Sequence, residues 1–414
     1  MKHMITSFFR KPTALSLFFI IITLLSFQSF SQKKVVGYLP SWVDYNYIAG
    51  SIDKLTHLNI AFENPDTDGN LSFATSNNDV INAARAKGVK VLVSIAGGGA
   101  SVDPVKTAIY FDLISDEKRA GFVQKILTYL KDHNFDGLDV DLEGSAINED
   151  YDDFIKDLSA ALKPEGKLLT SALSHVNGGD RINPETYQYF DFINIMAYDA
   201  TGPWRPNQGG QHSSFEFGKS SLEFWVGRGL PKEKAILGVP FYGYGFWNSF
   251  HEGMSYADII KKYPGSENQD QVADTIYYNG IPTIKAKAQL VLDEEYGGIM
   301  IWQIAQDAQG PKSLLLVINE ILKIENPTGI KKGFLEKETP VFPNPVKDKV
   351  TIENPSFGLR SGQIELLNAA GKALISQKAN GQVNVLDLSQ LASGLYFIQV
   401  YNSRETAFYK VFKN

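Results

Sequence analysis

Eight short apolar runs that alternate with amphipathic segments constrain the fold of this chain more than any other feature. The runs lie at residues 35–39, 57–62, 89–95, 137–142, 168–173, 192–196, 235–239 and 299–303. Several are continuously apolar, which is typical of parallel strands buried on both faces. Segments with helical spacing lie between them, at 119–131, 151–162 and 285–292. Eight strands alternating with helices over roughly 290 residues predict an α/β fold of the (β/α)8 TIM-barrel type, because a doubly wound open sheet usually has fewer strands in that length.

Both ends of the chain differ from this alternating region. Residues 1–31 combine a basic start with an apolar run of about 14 residues, short of the roughly 20 needed to cross a bilayer. We expect a cleaved secretory signal peptide there, with an uncleaved membrane anchor as the alternative. The barrel is expected over 32–325 and a linker rich in Gly, Pro, Lys and Glu over 326–340. Residues 341–414 carry only strand-like runs, at 349–353, 363–367, 383–388 and 395–401, with a hairpin at Gly371, and predict a small all-β sandwich.

Composition excludes several classes of function. The formal charge is −6 and no basic block occurs, which argues against a nucleic-acid partner. The chain has no cysteine, so disulfides, thiolate metal ligands and cysteine nucleophiles are excluded. The six histidines lack ligand spacing. We therefore expect no metal, no cofactor and no stable membrane insertion, and we expect a monomer.

The fourth apolar run carries three carboxylates on one face. Asp139, Asp141 and Glu143 are spaced by two residues, so in a β-strand they point to the same side, while the alternating Leu and Val residues point toward the helices. Three carboxylates facing a barrel interior cannot all be charged without cost, so at least one pKa must rise, as a general acid requires. A solvated acidic turn and a cation site are the alternatives. Glu143 is last in the run, where a barrel strand ends and active sites form.

This run, FDGLDVDLE at residues 135–143, closely resembles the signature of glycoside hydrolase family 18, the chitinases and endo-β-N-acetylglucosaminidases. The resemblance extends over roughly residues 35–324. It includes IMAYD at 195–199, GVPFYG at 238–243 and GGIMIWQ at 297–303. SIAGGG at 94–99 resembles the serine-and-glycine motif of the family, although Ala96 stands where glycine is usual.

The resemblance implies substrate-assisted hydrolysis with retention of configuration, an exception to the usual two-carboxylate scheme. Glu143 would protonate the glycosidic oxygen and later act as base toward water. The nucleophile would be the acetamido oxygen of the substrate, giving an oxazolinium intermediate. Asp141 would orient the acetamido N–H, Asp139 would share a proton or charge with Asp141, and Tyr198 would hydrogen-bond the acetamido oxygen.

The resemblance also implies a set of substrate contacts. Trp302 would form the floor of the cleavage subsite, where an apolar sugar face stacks on an aromatic ring. A tryptophan packed in the core is the alternative. Ser94 would support the aspartates of the acidic strand. Met196 and Asp199 would line the same subsite. By their position at strand ends or in the following loops, Tyr38, Phe62, Trp204 and Tyr242 are further candidate contacts, of which Tyr38 and Phe62 could equally lie in the core and Trp204 would form a wall on the leaving-group side.

The last 74 residues, 341–414, resemble a second family, the type A C-terminal sorting domain of the type IX secretion system. The resemblance lies in FPNP at 342–345, LASGLYFI at 391–398 and YKVFK at 409–413. It implies the type IX machinery as a partner and export to the cell surface or medium. A carbohydrate-binding sandwich is the alternative, but the segment has no tryptophan.

These observations together predict a secreted chitinase that acts on chitin or chitooligosaccharides. The alternatives are an endo-β-N-acetylglucosaminidase that releases N-glycans and a chitin-binding lectin without activity. The segment 242–296 must hold a helix and leaves limited room for a lid, so we expect an open cleft and cleavage within chains.

Overall fold

The structure is a computed structural model that describes residues 32–205, 207–324, 341–353, 362–368, 373–379, 383–401 and 406–414. The predicted signal peptide and the predicted linker lie outside these residues, so both stay predictions. Within the described ranges, no helix is long and apolar enough to span a bilayer.

The secondary structure follows the alternation expected from the sequence. The strands of the first described region are β1 Lys34–Pro40, β2 His57–Ala61, β3 Lys90–Ala96, β4 Gly137–Asp141, β5 Leu168–Leu173, β6 Phe192–Ile195, β7 Ala235–Pro240, β8 Tyr242–Gly245, β9 His251–Ser255, β10 Gln271–Val272, β11 Ile276–Tyr277 and β12 Gly298–Trp302. The helices are α1 Asn77–Arg85, α2 Gly98–Val102, α3 Pro104–Ile114, α4 Arg119–Asp132, α5 Tyr151–Leu162, α6 Phe215–Gly227, α7 Tyr256–Lys262, α8 Ile281–Asp293 and α9 Leu314–Leu322.

Eight parallel strands close into a barrel in the order β1-β12-β7-β6-β5-β4-β3-β2. The predicted TIM barrel is therefore confirmed, and each predicted strand lies within one residue of its position in the structure at either end. Closure brings the carboxyl ends of all eight strands to one mouth, where barrel enzymes build their sites.

Each barrel strand is buried on both faces, as its continuous apolar sequence requires. On β4, Leu138 and Val140 pack outward into the core under the helices. The inward face of the barrel carries a separate cluster that includes Val36, Phe192 and Met300. Helix α5 shows the matching pattern, because its buried residues recur every three to four positions toward the barrel. The barrel interior is thus a packed core, in which His57 packs against Phe192 at the end opposite the mouth.

The segment between β7 and β12 is more elaborate than the sequence indicated. It folds into a four-stranded sheet in the order β10-β11-β8-β9, together with helices α7 and α8. The sequence predicted a helix and limited room for a lid in this segment, and it did not predict this sheet. These strands are only two to five residues long and rich in Gly and Tyr, so they lack a recognisable apolar run. Helix α8 also begins at Ile281, earlier than predicted, because Pro282 fits a first helical turn.

The C-terminal region is all-β, as predicted. Its strands are β13 Val341–Phe342, β14 Lys349–Glu353, β15 Gly362–Asn368, β16 Ala373–Ala379, β17 Val383–Asp387, β18 Gly394–Tyr401 and β19 Thr406–Lys413. They form two antiparallel sheets, β13-β14-β17 and β16-β15-β18-β19. Strands β15 and β16 pair across the predicted hairpin at Gly371, which lies outside the described residues. Strand β16 was not predicted, because its exposed side chains give it little apolar character.

Candidate active site

Asp139 is the third residue of β4 and is fully buried. Its Oδ2 accepts hydrogen bonds from the hydroxyls of Tyr38 and Ser94, both at 2.7 Å. Its Oδ1 accepts from the Thr170 hydroxyl at 2.5 Å and from Nδ2 of Asn194 at 3.3 Å. Burial raises the pKa of Asp139, and these four donors oppose that rise. The carboxyl is thus held in one orientation beneath the site.

Two residues predicted as substrate contacts lie under the site rather than at its surface. Tyr38 is 1% exposed and Ser94 is fully buried, and both donate to Asp139. These positions agree with the supporting role expected of Ser94 and with the core position left open for Tyr38, and contact of either residue with substrate stays a prediction. Thr170 and Asn194 were not predicted. Their signal in the sequence is a polar residue inside an otherwise apolar strand, and it acquires meaning only once closure places both beside Asp139.

Asp141 is the last residue of β4, two positions after Asp139 and on the same face of the strand. Its side chain is nearly buried, and its Oδ1 has no hydrogen-bond partner among the residues that the structure describes. Burial raises the pKa of Asp141 well above its ordinary value, and the neighbouring Glu143 and Asp139 raise it further. A buried acceptor without a donor is costly, so this oxygen is suited to receive an N–H or O–H from a ligand.

Glu143 follows β4 directly in an extended conformation, with φ −128° and ψ 161°. Its side chain is half-buried, and its Oε2 accepts a hydrogen bond from Nδ2 of Asn177 at 3.0 Å. Burial raises the pKa of Glu143 to about 7, while the Asn177 hydrogen bond lowers it and Asp199 raises it. A carboxyl with that pKa keeps its proton in a large fraction of molecules near neutral pH, as a general acid must.

Tyr198 and Met196 follow β6 and lie close to the acidic strand. Both are 7% exposed, so only a small part of each reaches the cleft. The Tyr198 hydroxyl lies 3.8 Å from Sδ of Met300, a weak acceptor, and has no better one within the described ranges. Burial raises the pKa of Tyr198 well above its ordinary value, and the nearby Asp141 adds to the rise. Tyr198 is therefore a neutral hydroxyl that is available to donate.

Three side chains contact the carboxyl of Asp199 at the barrel mouth. Its Oδ1 accepts from the hydroxyls of Tyr242 at 2.5 Å and Tyr244 at 3.1 Å, and lies 3.3 Å from Nδ1 of the buried His212. Tyr242 was predicted to belong to the site, whereas Tyr244 and His212 were not. The two tyrosines come from β8, a strand of the unexpected sheet, so that sheet completes the wall of the site.

An aromatic cluster lies beside these polar groups, because Trp302 packs against Tyr242 and Tyr244. The ring of Trp302 stacks on Phe62 with centroids 5.6 Å apart and meets Tyr38 edge-on, also at 5.6 Å. Trp302 and Phe62 are both partly exposed, as a platform for a sugar ring requires. Trp204 is 55% exposed and packs edge-on against Tyr244.

A cavity of about 730 Å³ opens beside Glu143. Residues that follow the ends of β3, β4, β5 and β6 surround it. Its lining includes Glu143, Asn177, Tyr198, Asp199, Trp204 and Arg205. This volume falls within the range of small-molecule sites, and the acid lies on its wall. Within the part of the chain described here, no cluster of His, Cys, Asp and Glu is arranged to hold a metal ion.

Comparison with known proteins places this geometry among characterised relatives. The glycosyl hydrolases family 18 matches residues 34–307, and the secretion system C-terminal sorting domain matches residues 340–414. The crystal structure of the GH18 chitinase ChiB from the chitin utilization locus of Flavobacterium johnsoniae is 43% identical, covers 70% of this chain and 94% of its own, and superposes with a TM-score of 0.66.

Two further relatives extend the comparison. A chitinase from Bacteroides thetaiotaomicron is 27% identical, covers 72% of this chain and 99% of its own, and has a TM-score of 0.61. Chitotriosidase-1 of Mus musculus is 26% identical over 82% of this chain and 87% of its own length. The family match at residues 34–307 spans the barrel strands, including the acidic strand.

Proposed function

Because the chain belongs to glycosyl hydrolase family 18 and ends in a secretion system C-terminal sorting domain, we propose that it is an exported chitinase. It hydrolyses β-1,4 bonds between N-acetylglucosamine units of chitin or chitooligosaccharides, as a monomer. The chitinase that is 43% identical to this chain supports the substrate. The observation that carries the proposal is the unpartnered Oδ1 of Asp141 near Glu143, whose pKa burial raises to about 7, since an acetamido group supplies the missing donor.

The first step uses Glu143 as the general acid. The sugar ring before the scissile bond rests on Trp302, which brings the glycosidic oxygen toward the half-buried carboxyl. Glu143 gives its proton to that oxygen as the bond between C1 and the leaving sugar breaks. A pKa of about 7 allows this transfer near neutral pH.

The nucleophile that attacks C1 is the acetamido group of the substrate. Oδ1 of Asp141 accepts its N–H, and the Tyr198 hydroxyl donates to its carbonyl oxygen, so the oxygen is aimed at C1. The oxygen bonds to C1 and forms an oxazolinium ion, whose positive charge Asp141 stabilises while Asp139 shares the charge from below. Glu143 then removes a proton from water, which opens the ring at C1 with net retention.

The sorting domain marks the chain for secretion or display at the cell surface. We propose that residues 1–31 direct the chain across the inner membrane as a cleaved signal peptide, after which the type IX machinery reads the sorting domain and exports the barrel. Such a location suits an enzyme whose substrate is an insoluble polymer outside the cell.

A side-by-side digestion tests the substrate. Purified protein lacking residues 1–31 is incubated with chitohexaose and, separately, with a high-mannose glycopeptide, and the products are separated by mass spectrometry. We expect shorter chitooligosaccharides and no change in the glycopeptide. Release of the glycan from the peptide alone contradicts the proposal and indicates an endo-β-N-acetylglucosaminidase. Cleavage of neither substrate, with retained binding of chitohexaose, indicates a lectin.

A further inference from the structure

The loop after β5 contacts the loop after β4 next to Glu143. The loop after β5 carries Asn177, whose Nδ2 donates to Oε2 of Glu143 at 3.0 Å. The backbone carbonyl of Asn177 also accepts the N–H of Gly144 at 3.0 Å. One residue thus contacts both the carboxyl of Glu143 and the peptide that follows it.

A glycine in the loop after β4 and a glycine in the loop after β5 permit this close approach. Gly144 has φ +53° and Gly178 has φ +85°, a region that side chains rarely adopt. A Cβ at Gly178 would lie 2.6 Å from the carbonyl oxygen of Gly144, and a Cβ at Gly144 would lie 2.9 Å from Oδ1 of Asn177. The backbones therefore touch where Asn177 reaches Glu143, which fixes the distance between its amide and the carboxyl.

The backbone around Glu143 is held independently of Asn177. The Ser101 hydroxyl donates to the carbonyl oxygen of Glu143 at 2.5 Å, and Nη1 of Arg181 donates to the carbonyl oxygen of Gly144 at 3.2 Å. The side chain of Glu143 has a single hydrogen bond within the described residues, the one from Asn177. Its rotamer thus depends on that bond more than its backbone does.

The two carboxyl oxygens of Glu143 lie in different surroundings. Oε2 faces the Asn177 amide, whereas Oε1 lies 3.2 Å from the position that a Cβ of Gly98 would occupy, on the wall of the cavity. An amide N–H is only a donor, so the oxygen that it contacts serves as acceptor and the proton is favoured on the other oxygen.

We propose that Asn177 is a positioning residue, whose side-chain amide fixes the rotamer of Glu143 and keeps the transferable proton on Oε1, toward the leaving group. The inference rests on the proposed function, since it assigns a task to the same acid. It goes further because it names a residue outside the acidic strand that determines the pH at which Glu143 loses its proton and the oxygen that carries this proton.

Other charged and titratable groups face Glu143 and stay unchanged when Asn177 is replaced. Asp141 lies on β4, Tyr198 and Asp199 follow β6, and Arg205 lines the same cavity. His175 of the β5 loop packs against Phe217 and Phe224. These groups are the same in the wild type and in the variants. A difference between the pH profiles of these proteins therefore reports the Asn177 hydrogen bond alone.

The test compares Asn177→Ala, Asn177→Asp and the control Asn148→Ala in the full mature chain. Asn148 lies in the loop after β4 and contacts Asp150, so its loss removes an amide nearby without touching Glu143. The alkaline limb of kcat/KM reports the loss of the proton of Glu143. The Asn177 amide donates to the ionised form of Glu143, so its removal raises the pKa of Glu143. The alkaline limb therefore moves to higher pH. We expect a shift of about one pH unit for Asn177→Ala.

A larger upward shift is expected for Asn177→Asp, because an anionic neighbour disfavours ionised Glu143. For both variants we expect kcat at pH 6 to fall about tenfold. The KM and the melting temperature should stay near those of the wild type, because the backbone contacts persist. The Asn148→Ala profile should match the wild type.

A second readout does not require activity. The Glu carboxyl carbons are labelled with ¹³C, the Glu143 signal is assigned by its absence in Glu143→Gln, and its pKa is read by NMR in each variant. The inference is overturned if both the Glu143 pKa and the alkaline limb of kcat/KM are unchanged in the two Asn177 variants. That result, even with a lower kcat, would indicate a merely structural role. If the wild type fails to cleave chitohexaose, the proposed function fails, while the NMR titration still decides whether Asn177 controls Glu143.

Discussion

Replacing Glu143 with Gln is expected to lower kcat on chitooligosaccharides by about 10³-fold or more while sugar binding persists. Glutamine fills the same space and can still accept the Asn177 hydrogen bond, so the cleft keeps its shape. It has no proton to give to the glycosidic oxygen and cannot deprotonate water. Initial rates measured by product chromatography, with calorimetric titration of chitohexaose, separate the two effects. Turnover within tenfold of the wild type would refute the assignment of Glu143 as the acid.

The thermal stability of Glu143→Gln tests whether burial raises the pKa of Glu143. Its pKa rises from 4.5 to about 7 in the folded protein. Between these values the unfolded chain loses a proton that the folded chain keeps, so the free energy of unfolding falls as pH rises through this window. Glutamine cannot ionise and escapes this loss. We therefore expect Glu143→Gln to melt at or above the wild-type temperature at pH 8 and close to it at pH 4.

The matched control for this substitution is Glu149→Gln. Glu149 is exposed in the loop that follows the acidic strand, so the same chemical change is made a short distance away. Its kinetics and melting curve should equal those of the wild type. A loss of kcat in this control would mean that the loop, rather than the acid, is sensitive to the change.

The second large effect is expected for Asp141→Asn, with kcat/KM reduced by about 10²- to 10³-fold. The Asp141 carboxyl can share its proton with Asp139 and so become negative as the oxazolinium ion forms, whereas the amide of this substitution stays neutral, so the developing positive charge would lose its closest counter-charge. The acetamido group would also be oriented less firmly, because the amide can turn either its oxygen or its nitrogen toward the substrate. Steady-state kinetics on chitotetraose give the size of the loss.

Asp153→Asn serves as the control for Asp141. Asp153 is exposed in the first turn of α5, outside the acidic strand. Unchanged kinetics there, together with the loss at Asp141, assign the effect to the site. A fall of less than threefold in Asp141→Asn would contradict the role given to its unpartnered oxygen.

Local pattern in the sequence was sufficient to predict the barrel and its acidic strand. The apolar runs determine where strands lie, and the two-residue spacing determines that Asp139, Asp141 and Glu143 share a face. These features involve neighbours along the chain, so they are visible before any tertiary structure is known. The placement of Glu143 just past the end of β4 followed from the same alternation.

The rest of the site depends on contacts between distant segments. Thr170 and Asn194 meet Asp139 only because the barrel closes, and Asn177 reaches Glu143 only because two glycine loops touch. His212 meets Asp199 through a long loop after β6. None of these residues belongs to a periodic pattern, so no local signal distinguishes them from the other polar residues of the chain.

The stereochemistry of the first product tests the proposed mechanism most directly. Wild-type protein is mixed with chitotetraose in an NMR tube, and the anomeric protons of the new reducing ends are recorded within minutes, before mutarotation equilibrates them. If the acetamido oxygen attacks C1 and water then opens the oxazolinium ion, the β-anomer must appear first. Appearance of the α-anomer first would mean that water attacks directly, and would contradict the roles assigned to Asp141, Tyr198 and Glu143.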